Sequence, residues 1–134
     1  NEETQCIHEL GLSGRVYLLS DTDDDQLCQL YNRASAFVYP SLFEGFGIPL
    51  LEAMACGCPI VASRIPPTLE VAKECPIYFE PTEPDDLVAA FDLAISERRD
   101  SERVRLGLEL VQGFSWDETA RLILEVYRAV SNPD

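Results

Sequence analysis

The chain has 134 residues, 46% of them hydrophobic, and carries a formal net charge of −14 at pH 7. That length and apolar content suffice for one core of ordinary size and exclude a disordered chain. The acidic balance, with Lys73 as the only lysine and the arginines scattered or helical, argues against nucleic acid as a partner, because phosphate backbones are held by clustered Lys and Arg.

Hydrophobic periodicity predicts alternating helices and strands. Residues 2–10 read as a helix, 15–19 as a strand and 24–34 as a second helix. Asp21, Asp23, Asp24 and Asp25 lie just ahead of that helix, where acidic side chains cap free N–H groups and complement the helix dipole. Residues 36–39 read as a buried strand, Pro49 suits a first helical turn, and 59–62 form the next strand. A short strand follows at 77–79. Thr82 with Asp85 predicts a cap before a helix over 87–96, and Ser115 with Glu118 has capping-box spacing before a helix over 120–130. Gly107 and Gly113 are expected to punctuate the helical segment between them. The alternation implies an α/β domain with a parallel sheet, and no linker or internal repeat divides it.

Arg98, Arg99, Arg103 and Arg105 form one basic cluster, but Glu97, Asp100 and Glu102 interleave with it, so a solvated, salt-bridged helix face is expected. Cys6, Cys28, Cys56, Cys58 and Cys75 are odd in number and sit mostly in apolar contexts, which argues against a disulfide framework and for a reducing cytoplasm. Cys56 and Cys58 have no second ligand pair, and His8 is the only histidine, so no metal site is expected there. No apolar run approaches the roughly 20 residues of a membrane span, and the first residues resemble neither a signal nor a transit peptide.

The most informative stretch is SLFEGFGIPLLEAMACGCPIVAS, residues 41–63. It reads as strand, loop, helix, strand, and in an open parallel sheet ligands bind beyond the carboxyl ends of the strands, where residues 41–47 would lie. Glycine lets backbone N–H groups approach a ligand, and a helix N-terminus directly after the loop favours an anion such as a diphosphate. Glu44 in the loop and Glu52 in the helix flank that cradle as hydroxyl acceptors, which suits a nucleotide sugar.

Glu44, seven intervening residues and Glu52, with GFG, P, EAMACG and PIVAS in their places, resemble the signature of the retaining group 1 glycosyltransferases of GT-B fold. The segment PTLEVAKECPIYFEP resembles the family's approach to its last strand, and Phe114-Ser115-Trp116 resembles the start of its closing helix. The likeness implies a Rossmann-like carboxy-terminal domain that binds the sugar donor. It also implies that an amino-terminal acceptor domain and the first, central strands of the sheet lie elsewhere. The expected consequence is that residues 15–19 pair directly with 36–39, or that open strand edges pair with another chain as a homo-oligomer.

By the same resemblance Glu44 is the catalytic-face carboxylate that contacts donor-sugar hydroxyls and steadies positive charge, and Glu52 accepts from the two ribose hydroxyls. Gly45, Phe46 and Gly47 supply the turn facing sugar and diphosphate, and Pro49, Leu50 and Leu51 open the helix toward the phosphates. No metal or other cofactor is implied. The family's basic pair has no match here, so the chain holds half a donor site, expected to bind nucleotide sugar weakly and to transfer nothing alone. The likeness extends to a branch with mannosyl- and rhamnosyl-type transferases of surface polysaccharides, although Pro66, Pro67 and Lys73 replace usual glycines. A cytoplasmic parent, peripheral at a membrane, is expected. Two alternatives stand beside this: a non-catalytic donor-binding subunit that needs a partner chain, and a metal-dependent transferase in which Asp21 and Asp23 hold a divalent cation against a diphosphate.

Overall fold

The computed structural model describes residues 2–97 and 99–131; Arg98, named in the basic cluster, and Asn1 lie outside them. In chain order the elements are α1 (Glu2–Glu9), α2 (Asp24–Arg33), β1 (Phe37–Tyr39), α3 (Ile48–Ala55), β2 (Ile60–Ser63), α4 (Pro66–Ala72), β3 (Ile77–Phe79), α5 (Pro84–Ser96), α6 (Glu102–Val111) and α7 (Trp116–Ser131). The three strands form one parallel sheet in the order β1-β2-β3, with Val38 opposite Val61 and Ala62 opposite Tyr78.

Strand β2 runs through the centre and all four of its residues are buried. Successive side chains of a strand point to opposite faces, so β2 feeds two cores. Ile60 and Ala62 join Tyr31, Leu50, Ala53, Met54 and Ala72 beneath α2, α3 and α4. Val61 joins Ile77, Phe79, Ala90 and Ala94 beneath α5. Full burial of a side chain such as Val61 stabilises by about 2 kcal/mol. On the first face α3 packs against α6 at Gly107, where an added Cβ would stand 3.1 Å from Met54 Cγ. Gly107 therefore does not punctuate a helix as expected; it lies inside α6 and permits a close crossing, whereas Gly113 does follow the end of α6.

Residues 15–19 are not a strand, and they do not pair with β1. Val16, Tyr17, Leu18 and Leu19 have strand-like composition but stay exposed, Tyr17 at 79%. A strand is defined by its ladder as much as by its residues, and among the described residues this segment has no neighbour to complete one. The outer edge of β1 is accordingly open.

Helix α5 begins at Pro84 with Glu83 as N-cap and no side-chain cap, so the expected Thr82 and Asp85 cap is absent. Proline presets the first-turn φ, and Asp86 instead accepts from the Glu80 N–H at 2.7 Å. Asp23 does cap α2: its Oδ1 accepts from the Gln26 N–H at 2.8 Å, and Gln26 Oε1 accepts from the Asp23 N–H at 3.4 Å. Ser115 Oγ accepts from the Glu118 N–H at 3.5 Å ahead of α7. Helix α4 is not among the expected elements, where Pro66 and Pro67 stand only in place of usual glycines. Both fall in the first turn, where their missing N–H groups are no loss, and the Thr68 hydroxyl donates to Ser63 O at 2.5 Å, tying α4 to the end of β2.

The basic cluster is only partly a solvated face. Arg105 pairs with Glu102 and Glu109 in the open. Arg99 turns inward. Its Nη2 donates to Tyr31 O at 2.5 Å and Ala34 O at 2.9 Å, and its Nη1 to Gly57 O at 2.9 Å and Cys56 O at 3.2 Å. These carbonyls lie at or just past the carboxyl ends of α2 and α3, where intrahelical N–H partners run out. Arg103 likewise donates to Glu74 O and Pro76 O, at 2.9 and 3.1 Å, while pairing with Glu97. All five cysteines are free thiols, and Cys28 and Cys56 meet with their sulfurs 4.0 Å apart.

Lys73, just past α4, holds φ 49° and ψ −120°. The Cys75 N–H closes a turn onto Ala72 O at 3.0 Å, so Lys73 fills the first central position of a type II′ turn, which glycine adopts without strain. Lys73→Gly is expected to stabilise the fold by about 1 kcal/mol, read by urea denaturation, despite the greater freedom glycine gives the unfolded chain. A destabilised variant would contradict the strain.

Candidate functional site

The loop between β1 and α3 sits at the carboxyl end of β1, and Gly47 turns it into the helix. Gly47 holds φ +99°, and a Cβ there would stand 3.1 Å from Leu50 Cδ1, so both backbone and packing require glycine. Gly45 differs, since a Cβ on it would meet nothing within 4 Å. Pro49 occupies the first turn of α3 as expected.

Leu50 is fully buried in the core and its N–H is bonded to Gly47 O at 3.0 Å, so its side chain faces away from the loop surface. Ala53 and Met54 are core residues too. Leu51 is half-buried. Phe46 is 45% exposed and meets Phe114 edge to face, with centroids 6.0 Å apart.

The two glutamates are each oriented by a neighbouring hydroxyl. Ser41 Oγ donates to Glu44 Oε1 at 2.6 Å. The Tyr39 hydroxyl also bonds Glu44, and together these hold the Glu44 carboxyl below the usual carboxylate range, Ser41 being the larger influence. The Tyr31 hydroxyl donates to Glu52 Oε2 at 3.1 Å. Burial first, and the Glu52 charge second, push the Tyr31 phenol well above its ordinary pKa, so it stays a protonated donor. Phe37 joins the two sides, its ring edge to face with Tyr31 at 5.2 Å and tilted against Tyr39 at 5.8 Å.

Beside Glu52 a groove of about 540 Å³ opens between α3 and the start of α7, walled by Phe46, Ile48, Leu51, Val111, Phe114 and Trp116. A wider concavity of about 740 Å³ lies along β3. Two of its three cations are already engaged: Arg64 pairs with Glu80 at 3.2 Å and stands over the Tyr78 ring, and Arg103 is bound as above, while Lys73 also lines it. Asp23 is committed to its cap, and among the described residues no group of three or more metal-ligating side chains converges. The loop and α3 are therefore the candidate site.

Sequence reasoning named both glutamates but missed what holds them. Tyr31 lies 21 residues from Glu52; the available signal was a tyrosine four residues after Leu27, on an apolar helix stripe, whose hydroxyl must find a partner once buried. Ser63 was also missed. It is fully buried at the carboxyl end of β2, and its hydroxyl has no hydrogen-bond partner among the described residues.

A parallel sheet whose loop of glycines runs into a helix N-terminus, at the strands' carboxyl end, is the arrangement of ligand-binding α/β domains. A family profile described as "Glycosyl transferases group 1" matches residues 1–107, and the chain belongs to that family. It is 34% identical to the O-antigen chain mannosyltransferase B of Escherichia coli, over 86% of this chain and 30% of that protein. It is 37% identical to the MMP alpha-(1->4)-mannosyltransferase of Mycolicibacterium hassiacum, over 92% of this chain and 31% of that one. The chain thus spans about a third of the length of these relatives. Among solved structures, sucrose-phosphate synthase from Thermosynechococcus elongatus superposes with a TM-score of 0.84 and 28% identity, over 96% of this chain and 33% of that one. The expected α/β fold of GT-B type holds, with three parallel strands and flanking helices.

Removing the Ser41 hydroxyl takes away the main influence on Glu44. In Ser41→Ala the Glu44 carboxyl is expected to titrate at higher pH than in the unaltered chain, as followed by NMR of the side-chain carboxyl carbon. The sign follows from linkage: stabilisation by these hydroxyls is present above the ordinary carboxylate range and is lost as pH falls through the lowered pKa of Glu44. An unchanged midpoint would contradict the role of Ser41.

Proposed function

We propose that the chain supplies the nucleotide-sugar side of a retaining glycosyltransferase, with a nucleoside diphosphate sugar as donor and no required metal. The observation that carries this is the pair of oriented carboxylates, Glu44 and Glu52, on either side of a glycine turn that enters the N-terminus of α3. In this reading backbone N–H groups of residues 45–48 and the positive end of α3 hold the diphosphate, and Glu52 accepts from both ribose hydroxyls. Glu44 contacts the sugar and steadies positive charge as the glycosidic bond loosens. Transfer is then chiefly positioning and electrostatic stabilisation of the departing diphosphate.

Open space around Gly45 supports the reading, because nothing within the described chain demands glycine there while close approach of a ligand to the backbone would. The mannosyltransferase names of the relatives support a hexosyl donor and a part in assembling surface polysaccharide. Alone, the chain is a partial donor site that binds nucleotide sugar weakly and does not transfer it. The open edge of β1 is a pairing site for a further strand, a second copy of the chain included.

Calorimetric titration with UDP, GDP and their sugar conjugates, with and without Mg²⁺, tests the proposal. Binding is expected without metal, and Glu52→Gln is expected to weaken it by about 1 to 3 kcal/mol. In the complete enzyme Glu44→Ala is expected to lower turnover more than nucleotide affinity. Binding untouched by Glu52→Gln would refute the assignment.

A further inference from the structure

The hydroxyl of Tyr31 makes the only side-chain hydrogen bond to the Glu52 carboxylate among the described residues. Tyr31 is 6% exposed, and three neighbours fix it from different parts of the chain. Phe37 of β1 packs edge to face on its ring, Arg99 binds its carbonyl at 2.5 Å, and α3 presents Glu52 to its hydroxyl. Glu52 itself is half-buried and borders the groove beside α3.

A carboxylate offers about four lone-pair positions over two oxygens. Tyr31 occupies one at Oε2, which fixes the plane of the group and leaves Oε1 as acceptor for another ligand. An exposed helical glutamate without such a partner samples several rotamers, and each must be given up on binding. We propose that Tyr31 is a positioning residue for Glu52: its hydroxyl holds one carboxylate oxygen so that the remainder faces a ribose diol, which sets the preference for ribo- over 2′-deoxyribonucleotides. This rests on reading Glu52 as the ribose acceptor. Because Tyr31 remains a neutral, protonated donor, it fixes the carboxylate without cancelling its charge.

A purely structural role for Tyr31 predicts something else. Loosening the contact between α2 and α3 would weaken all nucleotides alike, whereas a misaligned Glu52 loses chiefly the contribution of the 2′-hydroxyl. The test is calorimetry on the unaltered chain, Tyr31→Phe and Glu52→Gln, using UDP, GDP and ADP, each beside its 2′-deoxy counterpart. Far-UV circular dichroism and thermal melting check the fold, which phenylalanine preserves in shape.

The unaltered chain is expected to favour the ribo form, Glu52→Gln to abolish that preference, and Tyr31→Phe to narrow it by about 3- to 10-fold, the worth of one hydrogen bond. If Tyr31→Phe lowers ribo and deoxy affinities by the same factor, or changes neither, while Glu52→Gln still abolishes the preference, the positioning role is overturned and the reading of Glu52 survives. If Glu52→Gln leaves the preference intact, or the unaltered chain binds none of the six nucleotides, the reading of Glu52 fails and the role of Tyr31 with it.

Discussion

One guanidinium sets the relation between the two helices that carry the site. Arg99 reaches four carbonyls at the carboxyl ends of α2 and α3, from a loop some 65 residues downstream of α2. Helix C-termini leave their last carbonyls without N–H partners, and in a half-buried position those groups need donors. A planar fork with several N–H groups satisfies two helix ends together, which a lysine ammonium would do less well. With the ends of α2 and α3 tied, Cys28 meets Cys56 and Tyr31 meets Glu52 along the same seam. Neither helix could slide without losing these contacts.

From that frame the site follows by short steps. Phe37 and Tyr39 lie on one face of β1, two residues apart, and Tyr31 of α2 packs on Phe37, so one aromatic row backs both glutamates. Gly47 then turns the chain into α3. The chain is strongly acidic overall, yet the feature proposed to meet a diphosphate is local and made of backbone: a helix N-terminus carries roughly half a positive charge. Arg64 and Arg103 do not add to it, because both are bound to carboxylates away from the loop.

The strands at 36–39, 59–62 and 77–79 were legible because buried parallel strands are short apolar runs bounded by turn residues. Residues 15–19 have the same look and are not a strand, since composition records a preference while a ladder needs a neighbour. Helix α4 was not read from the sequence; Pro66 and Pro67 fit it because they fall in its first turn. Glu44, Glu52 and the glycine turn stood out through the loop's glycines, the helix start after them and the resemblance to the group 1 signature. Tyr31, Arg99 and Ser63 were not, because their significance lies in partners distant in sequence or, for Ser63, in burial itself. Arg99 is instructive: read beside Glu97, Asp100 and Glu102 it resembled a surface charge, and only tertiary packing shows the carbonyls it serves. Lys73 shows the reverse, where a residue in place of an expected glycine marks a backbone position that still has left-handed geometry.

The central claim, that the loop and α3 form a nucleotide-sugar site, is tested most directly by a crystal structure of the chain with a nucleoside diphosphate. The account predicts ribose hydroxyls on the Glu52 carboxylate, with Tyr31 still bound to its other oxygen, and the diphosphate against the backbone of residues 45–48. A diphosphate seated in the concavity along β3, or a ribose without contact to Glu52, would contradict it.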